Sequence, residues 1–210
     1  MTADGILFDL DGTLWDAVEG ICRGWNRAFQ ACGLAPSLTV PQLRACMGLR
    51  MEDIAQRILP QIGDGERRME IMEVCYRHQL QYLSRHGGRL YPGVPETLAA
   101  LARRFPLCIV SNCQDGYIQC FLKVHGLETY IQDFECPGRT GQGKAENIRL
   151  VAERNGLRAP IYLGDTQGDA DAAHAAGVPF LYAAYGFGTV DRAERRVQSI
   201  GELTGLLTPP

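Results

Sequence analysis

Three short apolar runs in this chain each stop on polar residues. Ile6-Leu7-Phe8 stops at Asp9, residues 106–110 stop at Ser111 and Asn112, and residues 160–163 stop at Gly164 and Asp165. Runs of that length with no polar alternation read as strands buried on both faces. Between and after them, apolar residues recur at helical spacing over 94–104, 116–125, 144–155, 169–176 and 200–207. Further strands are expected at 134–136 and 180–183. Strand alternating with helix predicts a doubly wound α/β fold, a parallel sheet covered on both faces.

The alternation is interrupted once. Val18, Ile21, Trp25, Ala28, Phe29 and Cys32 share one helical stripe over 16–32, which Gly33 ends. A second helix is expected over 51–59, stopped by Pro60, and a third over 67–85, with Met69, Met72, Tyr76, Leu80 and Leu83 on one face. His86-Gly87-Gly88 then breaks the pattern. The predicted division is an α/β core of residues 1–15 and 87–210, with an all-helical insert at 16–86.

A chain of 210 residues, 46% hydrophobic and 21% charged, can bury a core without covalent staples. Its net charge of -3 offers no basic footprint for nucleic acid. No stretch approaches the roughly 18 apolar residues of a membrane span. MTADGILFDL lacks a basic n-region, so a cytoplasmic protein is expected. None of the eight cysteines forms a CxxC pair, and most are expected to act as small buried hydrophobes; Cys113, just past the second apolar run with no histidine near it in sequence, is expected as a bystander and not a nucleophile. The composition does not separate monomer from homodimer.

In open parallel sheets the carboxyl ends of the strands form the ligand crevice. Asp9, Asp11, Ser111, Asn112 and Asp165 are therefore expected to converge, with Asp169 four positions beyond. Asp169 alone would read as a helix N-cap. Acids this close repel one another and call for a cation. Oxygen-only donors suit Mg2+, bound directly by Asp9 and Asp165. An ionised Asp9 can attack without a general base. Asp11, crowded by negative charge, can hold a proton near neutrality for a leaving oxygen and later take one from water. The Ser111 hydroxyl and Lys144, which opens a helix after a glycine-rich stretch, are candidates to hold phosphoryl oxygens.

Gly138 to Lys144 also fits the Gly-x4-Gly-Lys part of a nucleotide-binding P-loop. Residue 145 is Ala, with no hydroxyl for a metal, and that reading leaves Asp9 and Asp11 unused.

Together these motifs resemble the haloacid dehalogenase superfamily, in its branch of small-molecule phosphatases, over the whole chain. Asp-Leu-Asp-Gly-Thr at 9–13 is similar to the family's first motif, Val110-Ser111-Asn112 to its second, Lys144 to its third and GDTQGDADAAHAAG at 164–177 to its fourth. The resemblance implies a phospho-aspartate on Asp9 and Asp11 as acid, then base. It also implies Mg2+ held by Asp9, Asp165 and the Asp11 backbone carbonyl, with Asp169 supporting the shell. Asn112 and Ser111 would bind phosphate beside Lys144. The helical insert resembles a mobile cap of the phosphoglycolate phosphatase type, and 47–53 its specificity loop. Arg50 there is a candidate partner for an anionic leaving group.

Dehalogenases and phosphonatases of that superfamily lack the acid at Asp11. Its phosphomutases place a histidine where this chain has Ile21, and often a valine where it has Thr13. The expected activity is Mg2+-dependent hydrolysis of a small phosphorylated metabolite. A phosphomutase and a non-catalytic phospholigand-binding protein are the alternatives. Trp15 and Trp25 are expected in the core or hinge, the segment Tyr185-Gly-Phe-Gly188 as a turn beside the site, and His78, His86, His125 and His174 as non-ligands.

Overall fold

The computed structural model describes residues 1–191, 193 and 195–210. Its first strand, β1 (Gly5–Phe8), is followed by β2 (Trp15–Asp16), α1 (Val18–Ala31), α2 (Val40–Arg44), α3 (Met51–Ile58), α4 (Gly65–His86) and β3 (Arg89–Leu90). The rest alternates: α5 (Val94–Leu101), β4 (Leu107–Val110), α6 (Tyr117–His125), β5 (Asp133–Glu135), α7 (Pro137–Thr140), α8 (Lys144–Arg154) and β6 (Pro160–Gly164). Then come α9 (Gln167–Ala176), β7 (Phe180–Ala183), β8 (Arg196–Val197), a 3-10 turn at Ile200–Glu202 and α10 (Leu203–Leu206).

Six strands form one sheet in the order β5-β4-β1-β6-β7-β8, every pair parallel. The chain fills one side of β1 with β4 and β5, then crosses to add β6, β7 and β8 on the other. The point where strand order reverses is therefore the end of β1, where a parallel sheet opens its crevice. Along β1 the side chains alternate: Leu7 joins Val110, Ile148 and Tyr162 on one face, while Ile6 and Phe8 join Ile109, Ile161 and Leu163 on the other. Both faces being covered explains why these strands carry no polar alternation. Burying a side chain such as Phe8, fully inaccessible here, contributes about 1.5–3 kcal/mol.

All four helices α1–α4 lie between β2 and β3, which pair antiparallel through Trp15 with Leu90 and Asp16 with Arg89. Asp16 collects Arg44 at 2.9 Å and Arg89 at 3.4 Å, so one carboxylate ties α2 to the ribbon. Helices α1 and α4 pack directly. A Cβ on Gly24 would stand 2.9 Å from the Gln79 Cα, so only glycine allows that approach. Trp15 is buried against Tyr117 and Phe121, as core packing predicts.

Several elements differ from the sequence expectation. The ribbon, α2, α7 and β8 are each five residues or fewer, too short for periodicity to register. The last helix breaks into a 3-10 turn and α10, and α9 starts at Gln167 rather than 169. Thr166 is its N-cap, so Asp169 is not one: it occupies the third helical position of a capping box. No helix among the described residues is long and apolar enough to cross a membrane. All eight cysteines are free thiols, six of them buried.

Candidate active site

Asp9 is the first residue after β1, and its backbone N–H still donates to Leu163 O at 2.8 Å. Asp165 follows β6 directly. The two strands are neighbours, so both carboxylates emerge at one edge. Asp169 comes to the same place from the first turn of α9 and Lys144 from the first turn of α8. Asp9, Asp165 and Asp169 each present an oxygen within 4.8 Å of the others, all buried.

Lys144 is buried, not a surface lysine: its ammonium donates to Asp9 Oδ1 at 2.7 Å and Asp169 Oδ1 at 2.5 Å. Burial opposes its charge, but the two carboxylates outweigh that and hold it protonated well above the ordinary lysine range. That geometry also disposes of the P-loop reading, since the lysine turns inward to acids. The second oxygen of Asp169 accepts from the backbone N–H groups of Asp165 and Thr166 and from the Thr166 hydroxyl. Both its oxygens are thus committed. Asp165 Oδ2 accepts from the N–H of Phe187 at 2.7 Å and Gly188 at 3.3 Å, and its Oδ1 faces the Thr13 hydroxyl at 3.4 Å. The turn at 185–188, with no role assigned from sequence, is thereby a clamp on Asp165. Tyr185 reinforces it by donating to Thr13 O at 2.9 Å.

One lysine cannot balance three acids. Burial, opposed by Lys144 and helped by Asp169, pushes Asp9 up to about 6. Burial with the charges of Asp9 and Asp169 pushes Asp165 up to about 8. A site whose carboxylates resist ionising for want of positive charge fits a divalent cation, and an all-oxygen donor set fits Mg2+.

Asp11 stands apart. The sequence reading gives the metal only its backbone carbonyl, and its carboxylate lies outside the three-acid set, accepting from the Tyr117 hydroxyl at 2.8 Å. The cause is the turn at Gly12, whose N–H donates to Trp15 O and whose φ is +88°. A Cβ there would meet Asp165 Oδ2 at 2.2 Å, so glycine lets the loop fold over that acid. Burial, opposed by the Tyr117 hydrogen bond, pushes Asp11 up to about 7. A carboxyl titrating there can carry a proton in either direction at neutral pH. Tyr117 went unrecognised in the sequence because it reads as one more apolar position on α6.

Ser111 is buried at the end of β4 and lines one cleft with Asp9, Asp11 and Lys144. Asn112 lines it too, but its amide donates to Gly48 O at 3.1 Å, spanning core and insert rather than standing free. The insert covers the cleft with Ile21, Leu43, Met47, Ile54 and Trp25, leaving about 50 Å³ of solvent-accessible space. Trp25, expected only as packing, is part of that wall. Arg50 is not: it opens α3, exposed, and borders a neighbouring outer groove with Gln142 and Gly143. Cys113 borders the cleft, but burial pushes its thiol well above the ordinary range, as suits a bystander.

Residues 6–183 match the family model described as haloacid dehalogenase-like hydrolase. A phosphoglycolate phosphatase of Escherichia coli (strain K12) is 29% identical, the alignment covering 98% of this chain and 93% of the relative. One from Aliivibrio fischeri is 30% identical over 87% of this chain and 84% of its own. Among solved structures, a haloacid dehalogenase-like hydrolase from Streptococcus pneumoniae superposes with a TM-score of 0.82 at 21% identity, covering 97% of both chains.

Proposed function

Because this chain belongs to the haloacid dehalogenase-like hydrolases, we propose that it is a Mg2+-dependent phosphatase acting on a small phosphorylated metabolite through a phospho-aspartate on Asp9. The observation that carries this reading is the division of labour among the buried acids. Three converge on one cation-deficient point, and Asp11 is held aside on Tyr117 with a proton available near neutrality.

Asp9 and Asp165 would hold Mg2+ directly, with the Asp11 backbone carbonyl, while Asp169 fixes Lys144 and the Asp165 backbone. When bound, the cation supplies the charge that offsets repulsion between Asp9 and an anionic phosphoryl group. The free Asp9 oxygen attacks phosphorus, and the bond from phosphorus to the ester oxygen breaks. Asp11 gives its proton to that oxygen. In the second half, Asp11 takes a proton from water, the water oxygen attacks phosphorus, and the bond to Asp9 breaks to release phosphate. Lys144 and Ser111 line the cleft on the phosphoryl side. The helices of 16–86 serve as a cap that keeps bulk water from the acyl phosphate.

Phosphoglycolate, named for the curated relatives, is one candidate substrate. A phosphomutase would need a proton-transferring side chain on the cap wall, where Ile21 stands. The reading carries with it a cytoplasmic location, which the free thiols favour.

Hydrolysis of p-nitrophenyl phosphate with and without Mg2+, for wild type and Asp9→Asn, tests the reading. Turnover that needs Mg2+ and drops at least ~100-fold in the variant supports it. Undiminished turnover by Asp9→Asn removes the mechanism. No turnover of any phosphate ester favours a binding role.

A further inference from the structure

The wall that would face a leaving group carries no charge. The lining residues contributed by the helices α1–α4 and their connections are apolar except for Tyr76 and Gln79 of α4. The charged residues of the cleft are Asp9, Asp11 and Lys144, all from the catalytic side, and Lys144 is spent on Asp9 and Asp169. A carboxylate carried by the leaving group would lie against this wall with no cation to meet it. An unpaired buried charge is strongly unfavourable.

What the wall offers instead is hydrogen bonding. Gln79 is only 7% exposed, in the interior of α4 where the glycine contact from α1 brings the helices together. Its Oε1 accepts from Trp25 Nε1 at 2.7 Å. That bond settles which end of the amide is which: the indole is a donor only, so the amide nitrogen is the end left over. Among the described residues no protein acceptor takes its hydrogens. Tyr76 lines the same cleft, and its buried hydroxyl, beside the Gln114 amide, has no acceptor for its own proton among the described residues. Two unused donors on an otherwise apolar wall describe a receptor for an uncharged oxygen.

Resting on the phosphatase reading, we propose that the cleft selects phosphate monoesters of short, uncharged alcohols bearing one acceptor oxygen. Gln79 is the specificity residue that donates to that oxygen, Tyr76 assists it, and Trp25 is a positioning residue that locks the amide. The enclosed cleft, about 50 Å³, favours a small leaving group, and p-nitrophenyl phosphate serves only as a chemically activated probe.

The test compares a carboxylate ester with its isosteric carboxamide. Wild type with Mg2+ is assayed on 2-phosphoglycolate and on its carboxamide, 2-phosphoglycolamide, with ethyl phosphate as the apolar control. The expected result is kcat/KM at least ~10-fold higher for the carboxamide than for the carboxylate. Gln79→Leu is expected to lower the ratio of carboxamide to ethyl phosphate at least ~10-fold, and Trp25→Phe to lower it in the same direction through KM. Equal or better turnover of the carboxylate overturns this inference while leaving the phosphatase reading intact. So does an unchanged ratio in folded Gln79→Leu. Failure of wild type on every ester, p-nitrophenyl phosphate included, overturns both. The wild-type comparison decides the matter even where a variant does not fold.

Discussion

The Tyr117 hydroxyl donates to Asp11 Oδ1 at 2.8 Å, joining residues 106 positions apart in the chain. The bond favours the ionised carboxylate, opposing a burial that favours the protonated acid. In the proposed reaction Asp11 works in both forms, so its tyrosine partner would set how evenly the two halves run.

Tyr117→Phe is therefore expected to shift the pH limb assigned to Asp11 upward. Without the phenol, the carboxyl loses its one stabilising donor from α6 and holds its proton to higher pH. A kcat profile from pH 5 to 9 checks this, with kcat at neutrality down ~10-fold. An unmoved limb would detach Tyr117 from the chemistry.

Lys144→Met leaves three buried acids with no counterion. The expected cost is about 3–5 kcal/mol at pH 7, read by urea denaturation, with activity abolished. The deficit should shrink at pH 4.5, where the acids can take up protons. A pH-independent deficit would point to lost packing instead of lost charge.

Metal-free protein should lose stability as pH rises. Asp9, Asp11 and Asp165 have folded-state values of about 6, 7 and 8 against an ordinary 3.8. Protons are thus bound more tightly when folded. The stability this contributes is complete below about pH 4 and disappears as pH climbs through 6 to 8. Melting temperatures of the chelated protein should fall from pH 5.5 to 8.5. Added Mg2+ should raise them more at pH 8.5, where it meets ionised acids.

Gly12→Ala should weaken metal binding before it unfolds the protein. Its Cβ would collide with the Asp165 carboxylate and needs a positive φ that alanine disfavours. Mg2+ affinity, measured by calorimetry, is expected to drop ~10-fold or more.

Arg50→Ala should change kcat/KM on 2-phosphoglycolate by no more than ~3-fold, because the side chain is exposed and borders the outer groove. A larger loss would mean that this arginine reaches the substrate in a conformation other than the one described.

Much of the site was legible in the chain because its parts are tied to strand ends. Asp9 and Asp165 each follow a run of apolar residues that must be buried, and parallel strands deliver their ends to one edge. Local composition alone carries that. The helical insert was legible for the same reason, since long amphipathic helices write their period into the sequence. Residues that act by direction were not legible. Nothing near Lys144 says whether its ammonium points to solvent or to Asp9. Nothing near Tyr117 distinguishes a core aromatic from the partner of Asp11, and the polar ends of Trp25 and Gln79 look like ordinary helix positions. Arg50 shows the same limit, since its place in the loop does not say that it is exposed on the adjoining groove and not among the residues lining the cleft. Patterns of burial are one-dimensional and survive in sequence. The pairing of a donor with one particular acceptor depends on how α1 rests on α4 and how α6 is brought to the loop after β1, and only the packed chain decides that.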